Sequence, residues 1–179
     1  MKALLSAVLL ALFSPVLHAK TWDFAVFLDG EPAGVHRFEL QEEGGERRLT
    51  SVAKFDVKLL GITVYRYRHE ASELWRGDCL QKLEASTDDD GEVLRVGPLT
   101  PQGCVMSFAY WNPRILEQKE LLNAQTGKLE QVTVTTLGEG RYRISGMKNP
   151  IDLQYSPQGE WIGLESSVVG GRRLSYRLR

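Results

Sequence analysis

The sequence has 179 residues, of which 22 are basic and 23 are acidic, and its formal net charge at pH 7 is −1. A near-neutral chain lacks the basic face that nucleic-acid binding requires, so we expect no nucleic-acid partner. The length suits one domain with a sizeable core, and no linker or repeat divides the chain.

The N-terminal segment has the layout of a secretory signal peptide. Lys2 precedes an unbroken run of apolar and small residues over 3–13, Pro15 breaks this run, and Ala19 precedes a suitable cleavage position. The run is too short to span a bilayer, which takes about 20 apolar residues.

We therefore predict a signal peptide over residues 1–19 and a single β domain over residues 20–179, exported to the periplasm with no transmembrane segment after cleavage. The alternative is an uncleaved anchor, because Leu17 is not small. Cleavage removes one lysine, which leaves 21 basic against 23 acidic residues and a charge of −2.

The remaining chain alternates between short segments rich in β-branched and aromatic residues and glycine-containing turns such as Asp29-Gly30 and Asp90-Gly91. This pattern is typical of strands joined by hairpins. Within several segments apolar residues recur at every second position, which places one face of each strand on a core. The predicted strands cover residues 21–28, 33–41, 46–58, 62–75, 79–87, 92–97, 103–110, 128–136, 141–146, 151–155, 161–168 and 172–178.

The predicted strand over 62–75 mixes aromatic, charged and polar residues on both faces. Aromatic side chains with a polar tip offer apolar area and hydrogen bonds together, which suits an amphiphilic ligand. One face carries the candidate ligand-binding residues Tyr65, Tyr67, His69, Glu73 and Trp75, and the other carries the candidates Arg66 and Arg68.

His69 is open to a structural, a ligand-contacting or a catalytic interpretation. His69 and Glu73 lie roughly 13 Å apart along a regular strand, so a catalytic histidine needs a partner from another strand. The two arginines either pair with neighbouring acids such as Glu70 or clamp an anionic headgroup. We assign no catalytic residue, cofactor or metal.

The two cysteines, Cys79 and Cys104, are expected to form one disulfide in an oxidising compartment, with two buried free thiols as the alternative.

The three aspartates within 87–91 precede a glycine, and this pattern favours a hairpin turn over a weak cation site. Asn112 and Pro113 are expected to start a short helix, because asparagine caps helices and proline suits their first position.

Taken together, these patterns predict an all-β fold: a single antiparallel sheet of about ten to twelve strands with one short helix. A sheet this large must protect its edges, so we expect it to be strongly curled or barrel-like, with a two-sheet sandwich as the alternative.

Several short stretches occur in an order that resembles a bacterial secreted family, domain of unknown function 6134. The resemblance spans essentially the whole mature chain, implies a β-rich secreted protein and carries no catalytic assignment. It rests on Tyr67-Arg68-His69, Glu73-Leu74-Trp75, Cys79-Leu80, the 87–91 turn, Tyr110-Trp111-Asn112-Pro113, Leu121-Leu122-Asn123 and Thr126-Gly127.

Three functions agree with these observations. The first is a periplasmic protein that binds a hydrophobic or amphiphilic ligand such as a lipid. The second is an assembly protein that pairs exposed strand edges with an envelope partner. The third is an enzyme acting on an envelope lipid or glycan with His69 and Glu73 in its site.

Overall fold

The computed structural model describes residues 18–179, apart from the side chains of His18 and Val169. The predicted signal peptide therefore lies outside the described residues except for its last two positions. Those two positions, His18 and Ala19, begin the first strand and pair with Glu42 and Gln41.

Thirteen strands and two 3-10 turns, at Pro113–Glu117 and Val169–Gly171, make up the regular structure of the described chain. The first six strands are β1 His18–Leu28, β2 Glu31–Glu43, β3 Glu46–Leu59, β4 Ile62–Arg76, β5 Cys79–Asp89 and β6 Glu92–Leu99. The other seven are β7 Glu120–Leu122, β8 Leu129–Gln131, β9 Thr133–Gly138, β10 Arg141–Ser145, β11 Ile151–Tyr155, β12 Trp161–Ser167 and β13 Arg173–Leu178.

Eleven strands form one antiparallel sheet in the order β6-β5-β4-β3-β2-β1-β13-β12-β11-β10-β9. Each half of this sheet is a meander in which consecutive strands pair through hairpins. The first and last strands join the halves, with Val26 opposite Tyr176 and Phe27 opposite Ser175. Strands β7 and β8 form a separate two-stranded sheet.

The all-β class and the single large antiparallel sheet are confirmed, but the prediction of a strongly curled or barrel-like sheet is wrong. The sheet is open, and β6 and β9 stand at its two ends. The connection over residues 100–132 joins these ends and packs across one face, which we call the inner face. Because this connection supplies the covering apolar surface, the sheet buries its inner face without closing on itself.

The main core lies between the inner face and the connection. Trp75 of β4 packs edge-on against Trp111 at a centroid distance of 5.6 Å, and Trp161 of β12 lies 5.3 Å from Tyr110. The connection thus contacts both meanders. Its buried apolar residues are Met106, Ala109, Trp111, Ile115, Leu121, Leu122 and Val132.

The predicted strand over 103–110 is not present. Met106, Ser107 and Ala109 are buried there, yet the backbone follows an irregular path. Its carbonyls bond to other elements, since Val105 accepts from Leu80 and Met106 accepts from Leu122. Apolar composition signalled burial correctly, but burial under a sheet does not require a strand.

The predicted short helix is present as a single 3-10 turn. Asn112 accepts a hydrogen bond from the Arg114 amide, and Pro113 occupies the first position. The turn ends at Gln118, and the chain enters β7 two residues later. The segment predicted over 128–136 divides into β8 and β9.

The predicted disulfide between Cys79 and Cys104 is confirmed. It ties the first residue of β5 to the start of the connection. Beside it, the amide of Leu80 donates to the carbonyl of Val105 at 2.8 Å. One end of the connection is therefore held to the sheet covalently.

Replacing Cys79 and Cys104 together by serine should lower the free energy of unfolding by about 3.5 kcal/mol, because the unfolded chain regains the entropy of an open loop. Urea unfolding followed by tryptophan fluorescence measures this change. The parent protein treated with a reductant should match the variant. An unchanged midpoint would show that the covalent tie contributes nothing.

Candidate functional site

Strand β4 orients its side chains as its alternation predicts. The odd-numbered candidates face inward, where His69, Glu73 and Trp75 are buried and Tyr65 and Tyr67 are half-buried. Arg66 and Arg68 lie on the outer face. The seven predicted site residues therefore do not share one site.

The inner-face candidates divide again along the strand. Glu73 and Trp75 lie beside the main core under the connection. Tyr67 packs instead on a second apolar cluster formed by Val26, Ala53 and Phe55.

Glu73 is a buried carboxyl at the boundary between sheet and connection. It accepts a hydrogen bond from Trp75 Nε1 at 2.9 Å. Burial raises the pKa of Glu73 to about 7, although Ser107 of the connection and the Trp75 indole oppose the shift. Glu73 thus carries a proton at a pH where exposed carboxyls are ionised.

His69 lies in the other part of the inner face and does not bond Glu73. Its Nδ1 is 2.8 Å from the Thr87 hydroxyl of β5, and its ring stacks near Tyr67 at 6.3 Å. Burial lowers the pKa of His69. Among the described residues no side chain or backbone group bonds its Nε2, so this atom can bond a ligand.

A second histidine, which the sequence analysis did not single out, lies on the same row of cross-strand neighbours. His36 of β2 faces Ala53 of β3, and Ala53 faces His69 of β4. The two ring nitrogens of His36 lie 3.1 Å from the Tyr176 hydroxyl and 2.7 Å from the Ser51 hydroxyl. Burial, with a smaller contribution from His69, lowers the pKa of His36 to about 3.

Aromatic rings surround this row. Phe55 stacks on Tyr67 at 5.2 Å and approaches Tyr176 edge-on at 6.3 Å. We call His36, Phe55, Tyr67, His69 and Tyr176 the histidine cluster. It combines neutral polar atoms with apolar ring faces.

The connection approaches the histidine cluster at Tyr110, which lies near Tyr67 and Tyr176, and at a turn near residue 125. Gln125 Nε2 donates to the Tyr67 hydroxyl at 2.6 Å. This turn closes on itself, since Gly127 donates to the carbonyl of Asn123. The cluster is less buried than the main core, since His36, Tyr67 and Tyr176 are half-buried.

The outer-face arginines pair with a carboxylate, as one of the two interpretations expects, but the partner is Asp56 rather than Glu70. Arg68 Nη2 bonds both oxygens of Asp56 at 2.8 and 2.9 Å and also caps the Phe55 carbonyl through Nη1. Arg66 Nε is 3.4 Å from the same carboxylate. These bonds to Arg68 lower the pKa of Asp56.

The aspartate-rich stretch forms the β5–β6 hairpin turn. Its carboxylates accept hydrogen bonds from protein donors: Asp88 from the Gly91 amide, Asp89 from the Tyr65 hydroxyl and Asp90 from the Arg66 amide. Within the described residues no group of three or more histidine, cysteine, aspartate or glutamate side chains is placed to hold a metal ion.

Two open depressions lie elsewhere on the described sheet, although Tyr176 is among the residues that line the second. One lies at the β2–β3 hairpin beside Glu43, Glu46 and Arg76, and the other lies over β11 to β13 beside Asp152 and Arg173. No helix in the described part of the chain is long and apolar enough to cross a membrane.

The raised pKa of Glu73 makes stability depend on pH. Between its ordinary value of 4.5 and about 7 only the unfolded state loses the proton, so the free energy of unfolding falls as pH rises. Glu73→Gln should remove this loss, and its stability relative to the parent should increase by about 3 kcal/mol across that window. Urea unfolding at a series of pH values measures the difference.

Glu70→Gln is the matched control, because Glu70 is exposed on the other face of the same strand. It should follow the pH profile of the parent protein. Parallel curves for Glu73→Gln and the parent would contradict a protonated Glu73.

The lowered pKa of His36 predicts a ring that stays neutral from about pH 8 to about pH 5. In the unfolded state the His36 ring binds a proton near pH 6.5, and in the folded state it does not. The free energy of unfolding therefore falls as pH falls below 6.5. The NMR shift of the His36 ring should stay constant across the range. A titration midpoint near 6.5 would contradict the buried hydrogen-bonded ring.

Comparison with known proteins identifies a family but no activity. No curated protein and no solved structure shows significant similarity to the chain. The family model described as Domain of unknown function (DUF6134) matches residues 24–179, which confirms the resemblance in the sequence. This match covers all strands from within β1 to β13, and the chain belongs to this family.

Proposed function

We propose that this protein is a periplasmic binder of an amphiphile, whose apolar chain lies on the inner face at the β3–β4 hairpin end and whose polar group reaches the histidine cluster. One observation carries the proposal. An apolar path runs from the buried Phe55 to the exposed hairpin tip, with neutral hydrogen-bonding atoms at its inner end.

The path follows cross-strand pairs. Phe55 faces Tyr67, Val57 faces Tyr65, and Leu59 faces Ile62 at the tip. A bulge beside Val57 shifts the register without moving Leu59 off the inner side. Side chains become steadily more exposed along these three pairs. An acyl chain laid along them would exchange water contact for apolar contact.

The polar end favours an uncharged group. Burial keeps His36 and His69 neutral, and an ionised phosphate there would lose its hydration without a buried cation. Arg66 and Arg68 lie on the outer face, so they take no part in this site. His69 Nε2 and the Tyr67 hydroxyl suit an ester, a hydroxyl or a protonated carboxyl.

The ligand would displace Gln125 from Tyr67. This exchange is chemically balanced, because the ligand's polar group replaces the hydrogen bond that the tyrosine loses. The rest of the connection stays in place, held by the disulfide at its start and by the main core.

The compartment supports the same function. Residues 1–19 have the pattern of a signal peptide, and the disulfide is typical of proteins in oxidising compartments. A periplasmic protein meets lipids and their fragments in water, where a sheltered apolar surface lowers their free energy.

The proposal predicts that the purified protein carries an extractable amphiphile, or that it binds cis-parinaric acid with a rise in fluorescence. Val57→Asp places a charge on the path and should weaken binding about tenfold or more. Val93→Asp is the matched control, because Val93 is exposed on the outer side of β6. Near-ultraviolet circular dichroism checks the fold of both variants.

A protein that yields no amphiphile by mass spectrometry and does not bind the probe would refute this function. Equal weakening by Val57→Asp and Val93→Asp would refute the assigned path.

A second function, envelope assembly, is favoured by the free edge at β9. The strand Thr133–Gly138 carries no charged residue and no proline, the devices that usually block strand addition. A partner strand could extend the sheet there. Thr135→Lys should then abolish a stable co-purifying complex, and an unaffected complex would exclude this edge.

A further inference from the structure

The β3–β4 hairpin extends beyond the rest of the sheet. Strand β3 pairs with β2 only as far as Phe55, and β4 pairs with β5 only from Tyr67 onward. Residues 57–65 therefore form a two-stranded ribbon with no neighbouring strand on either side. The tip lies about 10 Å beyond Tyr65, because Leu60 is three residues past Val57, the partner of Tyr65, and a strand rises about 3.3 Å per residue.

The end of this ribbon is apolar and open to solvent. Leu60 is 95% exposed, and Leu59, Ile62 and Val64 are each more than half exposed. Isolated exposed aliphatics are ordinary, but four at one protruding tip indicate a binding surface.

The turn itself is not optimised for folding. Leu60 has a φ of 49° and Gly61 a φ of 84°, a geometry that favours asparagine, aspartate or glycine at the first position. The equivalent positions of two other hairpins are Asp29 and Asp90. A leucine at this position strains the backbone and exposes its side chain to solvent. We therefore infer that the side chain has a role other than stabilising the fold.

Cations surround the base of the ribbon on its outer face. Lys54, Lys58, Arg66 and Arg68 lie there together with Asp56, and Asp88 of β5 is the cross-strand neighbour of Arg68. Asp56 is engaged by the two arginines, and in the described chain neither lysine forms an ion pair. The acidic β5–β6 turn reaches the level of Tyr65 and Arg66 and does not extend along the ribbon beyond them. There the Arg66 amide donates to the Asp90 carboxylate, the Asp90 amide donates to the Arg66 carbonyl, and the Tyr65 hydroxyl donates to Asp89.

We propose that the ribbon tip, residues 59–64, inserts into the interfacial region of an anionic lipid bilayer while Lys58 and its neighbouring cations contact the headgroups. The apolar side chains at the tip and the cationic side chains at the foot of the ribbon complement the surface of an anionic bilayer. The unpaired backbone of the ribbon restricts insertion to this region, since bare peptide groups are costly in hydrocarbon. Tyr65 marks the depth, as aromatic residues with a polar tip favour the interface.

A bilayer explains the tip better than a protein partner does. Stable protein interfaces bury roughly 1,200–2,000 Å² in total, and a six-residue tip falls well short of that area. Binding to a membrane requires no matching shape, and each apolar side chain that inserts adds its own favourable transfer free energy. This proposal does not depend on amphiphile binding at the histidine cluster.

Vesicle co-sedimentation of the protein purified from its full-length sequence tests the proposal. Vesicles of phosphatidylcholine with roughly one third phosphatidylglycerol should bind it, and vesicles of phosphatidylcholine alone should bind it more weakly. Leu60→Asn combined with Ile62→Thr should lower the partition coefficient about tenfold or more. Asparagine suits the turn, so the variant should melt at the same temperature as the parent or higher.

Val93→Thr with Leu94→Asn is the matched control, because both residues are exposed on β6 away from the tip. It should bind vesicles as the parent does.

Lys58→Glu should reduce binding to the anionic vesicles, and added salt should weaken the binding of the parent. Ile62→Trp should show a blue-shifted emission when vesicles are added.

Four outcomes would overturn the proposal. They are no vesicle binding by the parent, unchanged binding by the Leu60→Asn and Ile62→Thr variant, an unshifted Ile62→Trp emission, and a parent dimer that this tip variant converts to monomer without lipid. The last would assign the tip to a second copy of the chain. Leu60→Asn alone leaves the Leu59–Ile62 pair of the amphiphile path intact. It should weaken vesicle binding and still bind cis-parinaric acid, so failure of the amphiphile site and failure of membrane docking are distinguishable.

Discussion

The packing of the connection over residues 100–132 across one face of the open sheet is the interaction on which the rest of the structure depends. An eleven-stranded sheet has far more apolar surface on its inner face than its own side chains can bury. The connection supplies tryptophan, isoleucine and leucine side chains that reach both meanders. Because it starts at one edge strand and ends at the other, a single segment stabilises the two halves together. The disulfide holds its first part to β5.

This cover is uneven, and the unevenness separates two environments on one strand. Glu73 lies beneath the connection, where burial keeps its carboxyl protonated near neutral pH. His69 lies four residues away, in the histidine cluster, where Gln125 of the connection bonds Tyr67. Glu73 and His69 are close in the sequence, as catalytic partners could be. In the structure they lie in different environments and do not contact each other. This separation leaves Glu73 and His69 without a shared site on β4.

The histidine cluster and the hairpin tip form one continuous feature. Neutral polar atoms lie at the inner end, apolar pairs follow along the ribbon, and Leu60 lies in solvent at the far end. Folding alone explains the inner end, because buried histidines require partners. It does not explain a leucine at a positive φ with its side chain exposed. The strain and exposure at the tip are consistent with a surface used for binding.

Sequence reasoning succeeded wherever the cause is local. The alternation of β4 places Tyr67 inward and Arg68 outward, because the pleat of a strand alternates its faces whatever lies next to it. The capping of the 3-10 turn by Asn112 is likewise a contact between near neighbours. Pairing of the two cysteines needed only the absence of a third.

It failed wherever the cause is long-range. The period of β2 shows that His36 faces inward, but only the register across β3 brings it onto the row of His69. The strand predicted over 103–110 became an irregular cover because its backbone could bond β5 and β7 instead. Likewise, hairpin spacing does not reveal whether a sheet closes.

The sequence by itself therefore determined the all-β class, the inward and outward faces of the strands, the hairpin turns and the disulfide. Only the tertiary structure decided that the sheet stays open, that Glu73 and His69 are apart, and that residues 57–65 project beyond their neighbours. The physical reason is that side-chain alternation and turn geometry are set within a few residues. Strand register, sheet closure and cover depend instead on which distant apolar surfaces pack together.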